Sequence, residues 1–425
     1  PFKPIQSPLD VLAQVILGMT AIESWDIETL FRIIRRCHSF HHLSLRHFHQ
    51  VLDMLEGRYA STRIRELHPR IVIDRSTNRI TAKKEVFPLL YFSGGTIPDR
   101  GYYDLWVQGS RHRIGQLDEE FVWERKIGEC FRLGNQIWRI TRIDSQRVEV
   151  IPDHGPIDIV PFWKAENQNQ SYFMAEKIGL FLEQINSNLM NPGLAKEVEE
   201  RCGMDSESAL ELVSFLRRQV EVTGTDLPHR HHLLIEQYQD GNRISDSRQV
   251  ILHTLWGGKV NHPLALALAA AWENAYHYPL QVTADDSCIG INLPHQFSSD
   301  AIWQMIKPDD IEPLLHQKLE RSGYFGARFR ENAGRALLLP KPSPLKRMPF
   351  WLTRLRSKKL LEAVQAMPEF PILLETWRSC LQDEFDLEAL KSLLNEIHSG
   401  RISVSSVTTP CPSPFAQALI WAQTN

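Results

Sequence analysis

The 425-residue chain lacks the features that would place it in a membrane, a secreted scaffold or a metal ribbon. No run is long and apolar enough to cross a bilayer, and no secretory signal is visible. Its six cysteines, Cys37, Cys130, Cys202, Cys288, Cys380 and Cys411, are dispersed with no Cys-x-x-Cys pair. That argues against an iron–sulfur or zinc ribbon and fits a reducing cytosol, so a cytoplasmic protein without membrane contact is expected. An excess of one charge is missing too: 48 Lys and Arg face 51 Asp and Glu, a net charge of −3. Any grip on a polyanion must therefore come from a local stripe and not from a global field.

A phosphate-cradling loop of the form Gly-x-x-x-x-Gly-Lys-[Ser/Thr] is also absent. Gly257-Gly258-Lys259 has no glycine at the required earlier position, and the next residue, Val260, cannot ligate Mg²⁺. Asp383-Glu384 has the look of an ATPase acid pair, but Arg378-Ser379-Cys380-Leu381-Gln382 before it is no apolar strand. No cofactor and no metal are expected in this chain. Internal repeats and low-complexity linkers are absent.

What is present suits a globular protein of two or three domains. Hydrophobic residues make up 43% and charged ones 23%, the ordinary balance for such a chain. Leu9, Leu12, Ala13, Val15, Ile16 and Met19 recur at helical spacing behind Ser7 and Pro8, read as a cap and a first-turn proline. Asp26 can cap a second helix, and Ser44 a third that Gly57 ends. A hairpin of 70–74 and 79–82 follows, so residues 1–86 read as a winged helix. In a stand-alone DNA reader the third helix would enter the major groove. Over 87–165 the period changes. Short strands at 103–107, 121–124, 130–133, 137–140 and 148–151 suggest a small antiparallel barrel or curled sheet. From Ser171 helices dominate, near 171–187, 205–221, 262–276, 298–306 and 309–397. Strands at 233–238, 249–255, 281–284, 290–293 and 402–408 interrupt them. Residues 166–425 are taken as one mixed α/β domain, with 87–425 as a single structural unit. The fold class is α+β.

The most informative stretch is Ser93-Gly94-Gly95-Thr96-Ile97-Pro98-Asp99-Arg100-Gly101. Two glycines free the backbone for positive φ or close approach. Pro98 disfavours the α region for Ile97 and holds it extended. An apolar side chain in a stiff loop, followed at once by charge, suits a wedge for a partner.

Downstream come Pro161-Phe162-Trp163-Lys164, Phe325-Gly326-Ala327-Arg328-Phe329-Arg330-Glu331 and Pro412-Ser413-Pro414-Phe415-Ala416. Further blocks are 51–59, 115–122, Arg335-Ala336-Leu337-Leu338-Leu339-Pro340 and Leu381-Gln382-Asp383-Glu384-Phe385-Asp386. In this order, over essentially the whole chain, they resemble the large helicase-related (Lhr) family of superfamily-2 DNA helicases. The resemblance implies 3′-to-5′ movement on single-stranded DNA powered by ATP and Mg²⁺ in two RecA-like domains. It implies that this chain is the part after that motor, a winged helix plus a DEAD/H-associated domain. The chain is thus expected to be a piece of a longer polypeptide. Its expected partners are single-stranded DNA or a DNA/RNA hybrid and the RecA-like domains.

The candidate contacts are Thr96, Ile97, Arg100, Trp163, Lys164, Lys346 and Arg347. Trp163 reads either as a packed edge aromatic or as a stacking platform with Lys164 on the adjacent phosphate. Ile97 reads as a core plug or as a wedge between bases. The run 339–359, with Lys346 and Arg347 around Phe350 and Trp351, reads as a phosphate track or a solvated helix face. Asp118, Glu119 and Glu120 read as a solvated turn paired with Arg111, Arg113 or Arg125, or as the acids of a DNA-processing hydrolase. The histidines at 38–49 and 229–232 are potential metal ligands, though the first group points in different directions. A scaffold without a nucleic-acid channel is the remaining alternative.

Overall fold

The computed structural model describes residues 4–424 except 60–64, 98–101, 111, 119–120, 123–124, 134–135, 145–146, 154–168, 239–246, 295–296, 298–301, 303–304, 321 and 340–349. Helix α1 (Leu9–Ile22) buries Leu9, Leu12, Ala13, Ile16 and Leu17, the face its spacing announces. Ser7 does not cap it. Pro8 occupies the N-cap with no side-chain bond, and the Leu9 amide donates instead to Glu375 Oε2 at 2.8 Å. β1 (Trp25–Asp26) leads into α2 (Ile27–Ile34), where Asp26 accepts from the Thr29 amide at 2.8 Å. Ser44 caps α3 (Leu45–Glu56) through the His47 amide, and Gly57 ends it at φ 83°. β2 (Ile71–Asp74) and β3 (Arg79–Ala82) form the hairpin, with β1 added on the outer side of β3. This is the expected winged helix, with a third strand the sequence reading omits.

α4 (Val86–Ser93) stands where the sequence pattern starts the β region. Beyond it lie β4 (Tyr102–Val107), β5 (Arg113–Asp118), β6 (Cys130–Leu133), β7 (Gln136–Ile143) and β8 (Arg147–Asp153). They form one sheet in the order β5-β4-β8-β7-β6. Leu105, Leu117, Phe131, Ile140, Val148 and Val150 bury one face, the period-two pattern of a half-buried strand. Two expectations are corrected. Phe121 and Val122 are helical and fill the core from the side. The pairing of β4 with β8 is parallel and not antiparallel; among the described residues the edge strands β5 and β6 do not pair, which leaves a five-stranded sheet and no closed barrel.

The next elements are α5 (Tyr172–Asn186), α6 (Leu194–Cys202) and α7 (Ser206–Thr223), of which α6 is absent from the sequence reading. β9 (His232–Tyr238), β10 (Ser247–His253), α8 (Gly258–Tyr276), β11 (Val282–Ala284), β12 (Cys288–Pro294) and α9 (Ile311–Leu319) follow. Then come α10 (Gly323–Arg335), α11 (Phe350–Val364) and α12 (Pro371–Arg378), which runs on into a π-helical turn at Ser379–Glu384. α13 (Leu387–His398), β13 (Ser403–Thr409) and α14 (Pro414–Thr424) end the series. The third sheet is ordered β11-β12-β10-β9-β13, with β13 parallel to β9 and the other pairs antiparallel. β9 is buried from His232 to Glu236 without alternation, as a strand covered on both faces should be.

The chain forms two compact units, Pro1–Ala165 with Arg321–Asp383, and Glu166–Glu320 with Glu384–Asn425. The sequence reading keeps 87–425 together, whereas compactness divides it. α10 to α12 return to the first unit, and there α12 and the residues before it cover α3. Gln50 donates to Glu369, Arg46 is ion-paired with Glu369, and Tyr59 meets Phe370 edge-on at 5.3 Å. One side of the third helix is therefore packed within its own unit, while Leu45 and His49 stay exposed.

Candidate nucleic-acid interface

The Gly94–Ile97 loop leaves the C-terminus of α4. Its two glycines serve different ends. The Gly94 amide donates to the Leu90 carbonyl at 2.9 Å, and a Cβ at Gly94 would lie 2.4 Å from that same oxygen. Gly95 instead has φ 134°, which side chains rarely adopt, with open space around it. Gln14 of α1 then grips Gly95 from both sides. Its Oε1 accepts the Gly95 amide at 2.8 Å, and its Nε2 donates to the Gly95 carbonyl at 3.2 Å and to the Arg335 carbonyl at 2.8 Å. Gln14 is absent from the sequence-based candidates. A lone Gln on an amphipathic helix carries no signal until the loop is folded against it.

Past this clamp only Thr96 and Ile97 of the loop are described. Thr96 is exposed, and Ile97 is 91% exposed. Ile97 thus enters no core formed by the described residues. Arg100, Trp163, Lys164, Lys346 and Arg347 lie outside the described residues, as does Glu119, so of the seven candidates only Thr96 and Ile97 are brought together here.

Under the clamp runs a polar network. Arg335 Nε donates to Asp10 Oδ2 at 2.5 Å, and Asp10 is buried. Glu375, buried close by, accepts from Leu9 and from Arg378. Arg378 also forms a bidentate pair with Asp383 at 2.9 and 2.8 Å. Burial, outweighing Arg378 and reinforced by the nearby Asp10 charge, pushes the Glu375 carboxyl up to about 7. The Asp383 of the ATPase-like acid pair is thus a structural partner of Arg378. The other ATPase-like feature is accounted for as well. Gly257 has φ 82°, and at the start of α8 the Gly258 amide donates to Asp286 Oδ1 at 2.7 Å. That helix N-terminus already holds a carboxylate where a phosphate would sit.

The remaining expected sites resolve into packing. Arg113 pairs with Asp104 at 2.8 Å and Arg125 with Glu129 at 3.6 Å, while the side chains of the acidic triplet lie outside the described residues. In the second histidine group, His231 pairs with Glu183 at 2.9 Å. His232 bridges the Leu227 carbonyl and the Ser405 hydroxyl. In the first, His38 and His41 stack at 5.1 Å. Among the described residues no group of three or more His, Cys, Asp or Glu could hold a metal.

Known proteins align with this arrangement along nearly its full length. The model for the winged-helix domain of large helicase-related proteins matches residues 1–158, and the DEAD/H-associated model matches 227–416. The chain belongs to the large helicase-related family. The Lhr helicase/probable uracil glycosylase of Mycolicibacterium smegmatis is 37% identical over 98% of this chain and 28% of its own length. The Lhr helicase/uracil glycosylase of Escherichia coli K12 is 36% identical over 98% of this chain and 27% of its own. The solved structure of the Mycobacterium smegmatis helicase Lhr bound to ssDNA and AMP-PNP superposes with a TM-score of 0.77 at 31% identity, covering 98% of this chain and 48% of that one. The chain therefore spans between a quarter and half of the Lhr relatives it matches.

Two blocks that carry the Lhr resemblance are core elements. On α10, Phe325 and Phe329 are fully buried one turn apart, with Phe325 4.3 Å from Trp377. In Pro412–Ala416, the Ser413 amide donates to Glu236 at 2.8 Å, while Phe415 stacks on Phe215 at 5.4 Å. Glu236 is wholly buried and accepts from His253 and Thr409 as well. These hydrogen bonds hold its carboxyl below the ordinary value despite burial.

Proposed function

We propose that this chain is the nucleic-acid-handling part of an ATP-dependent 3′-to-5′ DNA helicase. In this reading it grips one strand and converts motor strokes into base separation, while ATP and Mg²⁺ are held by RecA-like domains outside it. The observation that carries it is Ile97: a branched apolar side chain almost fully in solvent, on a loop pinned one residue earlier than Thr96. Exposed together with Phe87, Tyr91 and Phe92 of the preceding helix, it belongs to a run of apolar side chains of the kind a partner covers. A wedge must also be stiff, because a loose loop would lose the energy of unstacking to its own ordering. The Gln14 clamp provides that stiffness. Support comes too from the solved Lhr relative, which is bound to ssDNA and aligns with 98% of this chain.

The division of labour follows from chemistry. Ile97 separates neighbouring bases, with Thr96 beside it. Arg100 meets a phosphate. Trp163 stacks on a base, worth ~1–3 kcal/mol, with Lys164 on the adjoining phosphate. Lys346 and Arg347 track the backbone further along. A DNA/RNA hybrid would be accepted by the same contacts, and the protein acts in the cytoplasm. Residues 1–86, 87–165 and 166–425 are proposed as its domains. The test is Ile97→Ala in the complete helicase, which should lower unwinding far more than single-strand affinity. Unwinding at the parental rate would overturn the wedge.

A further inference from the structure

α4 is apolar on every side: its sequence reads Val-Phe-Pro-Leu-Leu-Tyr-Phe-Ser, yet only Val86 is buried. A helix of that kind is normally covered all round. Its side chains are sorted by type. The aliphatic Leu89 and Leu90 are half-buried, whereas Phe87 is 65%, Tyr91 81% and Phe92 39% exposed. Apart from Pro88, what faces solvent is therefore aromatic. Phe87 and Tyr91 lie four positions apart on one face, about 6 Å along the axis, and Tyr91 meets Phe92 edge-on at 5.4 Å. Lys84 is exposed just before the helix, beside Glu85, and the helix passes directly into the loop that carries Ile97.

We propose that the exposed aromatic face of α4, centred on Phe87 and Tyr91, is a base-stacking platform for single-stranded nucleic acid, continuous with the Ile97 loop. The inference rests on the nucleic-acid reading of that loop and extends it to residues of α4. Three features favour a strand as the occupant. The exposed rings offer flat faces that any base can stack on without sequence preference. Phe87 and Tyr91 stand about one helical turn apart on one face, so the two rings offer separate seats that would hold two bases apart. That is the state a neighbouring wedge would produce. Lys84 supplies a cation for the phosphate at one end.

The experiment measures binding of this chain to an oligo-dT carrying one 2-aminopurine, at several salt concentrations. Tyr91→Ala and Phe87→Ala should each lower affinity about tenfold, the loss expected when one stacked base is released. The salt slope should stay unchanged, and the 2-aminopurine emission should alter. Tyr91→Phe should restore affinity. Lys84→Ala should instead make the slope shallower. Both rings are exposed, so a fold-wide effect is not expected, and an unaltered melting curve checks this. Parental affinity in the double alanine variant overturns the platform while leaving the wedge standing, provided Ile97→Ala still impairs unwinding. Loss of association with the RecA-like domains, at parental strand affinity, also overturns it and assigns the face to protein docking. No strand binding by the unaltered chain overturns both readings.

Discussion

Glu375 sits where a charge is disfavoured, and its protonation should be visible in stability. Its carboxyl titrates near 7 in the folded chain, against 4.5 for an ordinary glutamate. The folded state thus holds the proton more tightly than the unfolded state. The sign follows by linkage: this contribution is fully present below about pH 4.5 and is lost as pH rises through about 7. Between those limits the denaturation free energy should fall with a slope of at most ~1.4 kcal/mol per pH unit attributable to this group. Glu375→Gln should remove that slope, and urea titrations of both proteins from about pH 4 to 8 measure the difference. A slope identical in the two would refute the assignment. At the same scale, Gln14→Ala removes the two bonds that hold Gly95 to α1 and the one that ties Gln14 to the Arg335 carbonyl. Amide exchange at Gly95 and Thr96 should accelerate, and unwinding should fall about as far as in Ile97→Ala. Full unwinding with a loosened loop would show that stiffness is dispensable.

At the scale of elements, the helix caps are the most legible features. Asp26, Ser44 and Gly57 act where local chemistry places them, because a cap involves only residues within one turn. Ser7 fails for the complementary reason. The acceptor that satisfies the Leu9 amide comes from Glu375, 366 positions away, and no local pattern encodes it. α4 escapes detection because a continuous apolar run does not distinguish a helix from a strand. Phe121 and Val122 mislead in the same way: their aromatic and β-branched character suits a strand, but packing makes them helical. Of the site, the Ile97 loop is legible from its glycines and proline. Its clamp is not, since Gln14 meets Gly95 only once α1 and α4 have packed. On the α4 face, truncating Phe87 or Tyr91 should weaken strand binding and leave the winged helix folded, as 2-aminopurine fluorescence and melting curves would register.

At the scale of the whole molecule, the decisive feature is that each compact unit is assembled from two separated stretches of chain. α1 begins at Leu9, but its first amide awaits Glu375, and its Gln14 awaits Arg335. In the other unit, β9 at 232–238 has its parallel neighbour at 403–409. Contacts this distant in sequence close late, because the loop entropy must be met before they form. During synthesis the winged helix would leave the ribosome long before its supports exist. A polypeptide ending at Ala165 should therefore unfold without a sharp transition, whereas one ending at Asn425 should melt cooperatively; calorimetry of the two compares them directly. A sharp, independent transition in the shorter piece would show that the first stretch matures alone. If it does not, the exposed aromatic rings and Ile97 pass their earliest moments on an unfinished scaffold. Premature termination or slow elongation would then leave a sticky nascent intermediate, and the cell's chaperones would encounter this apolar surface before any other partner does.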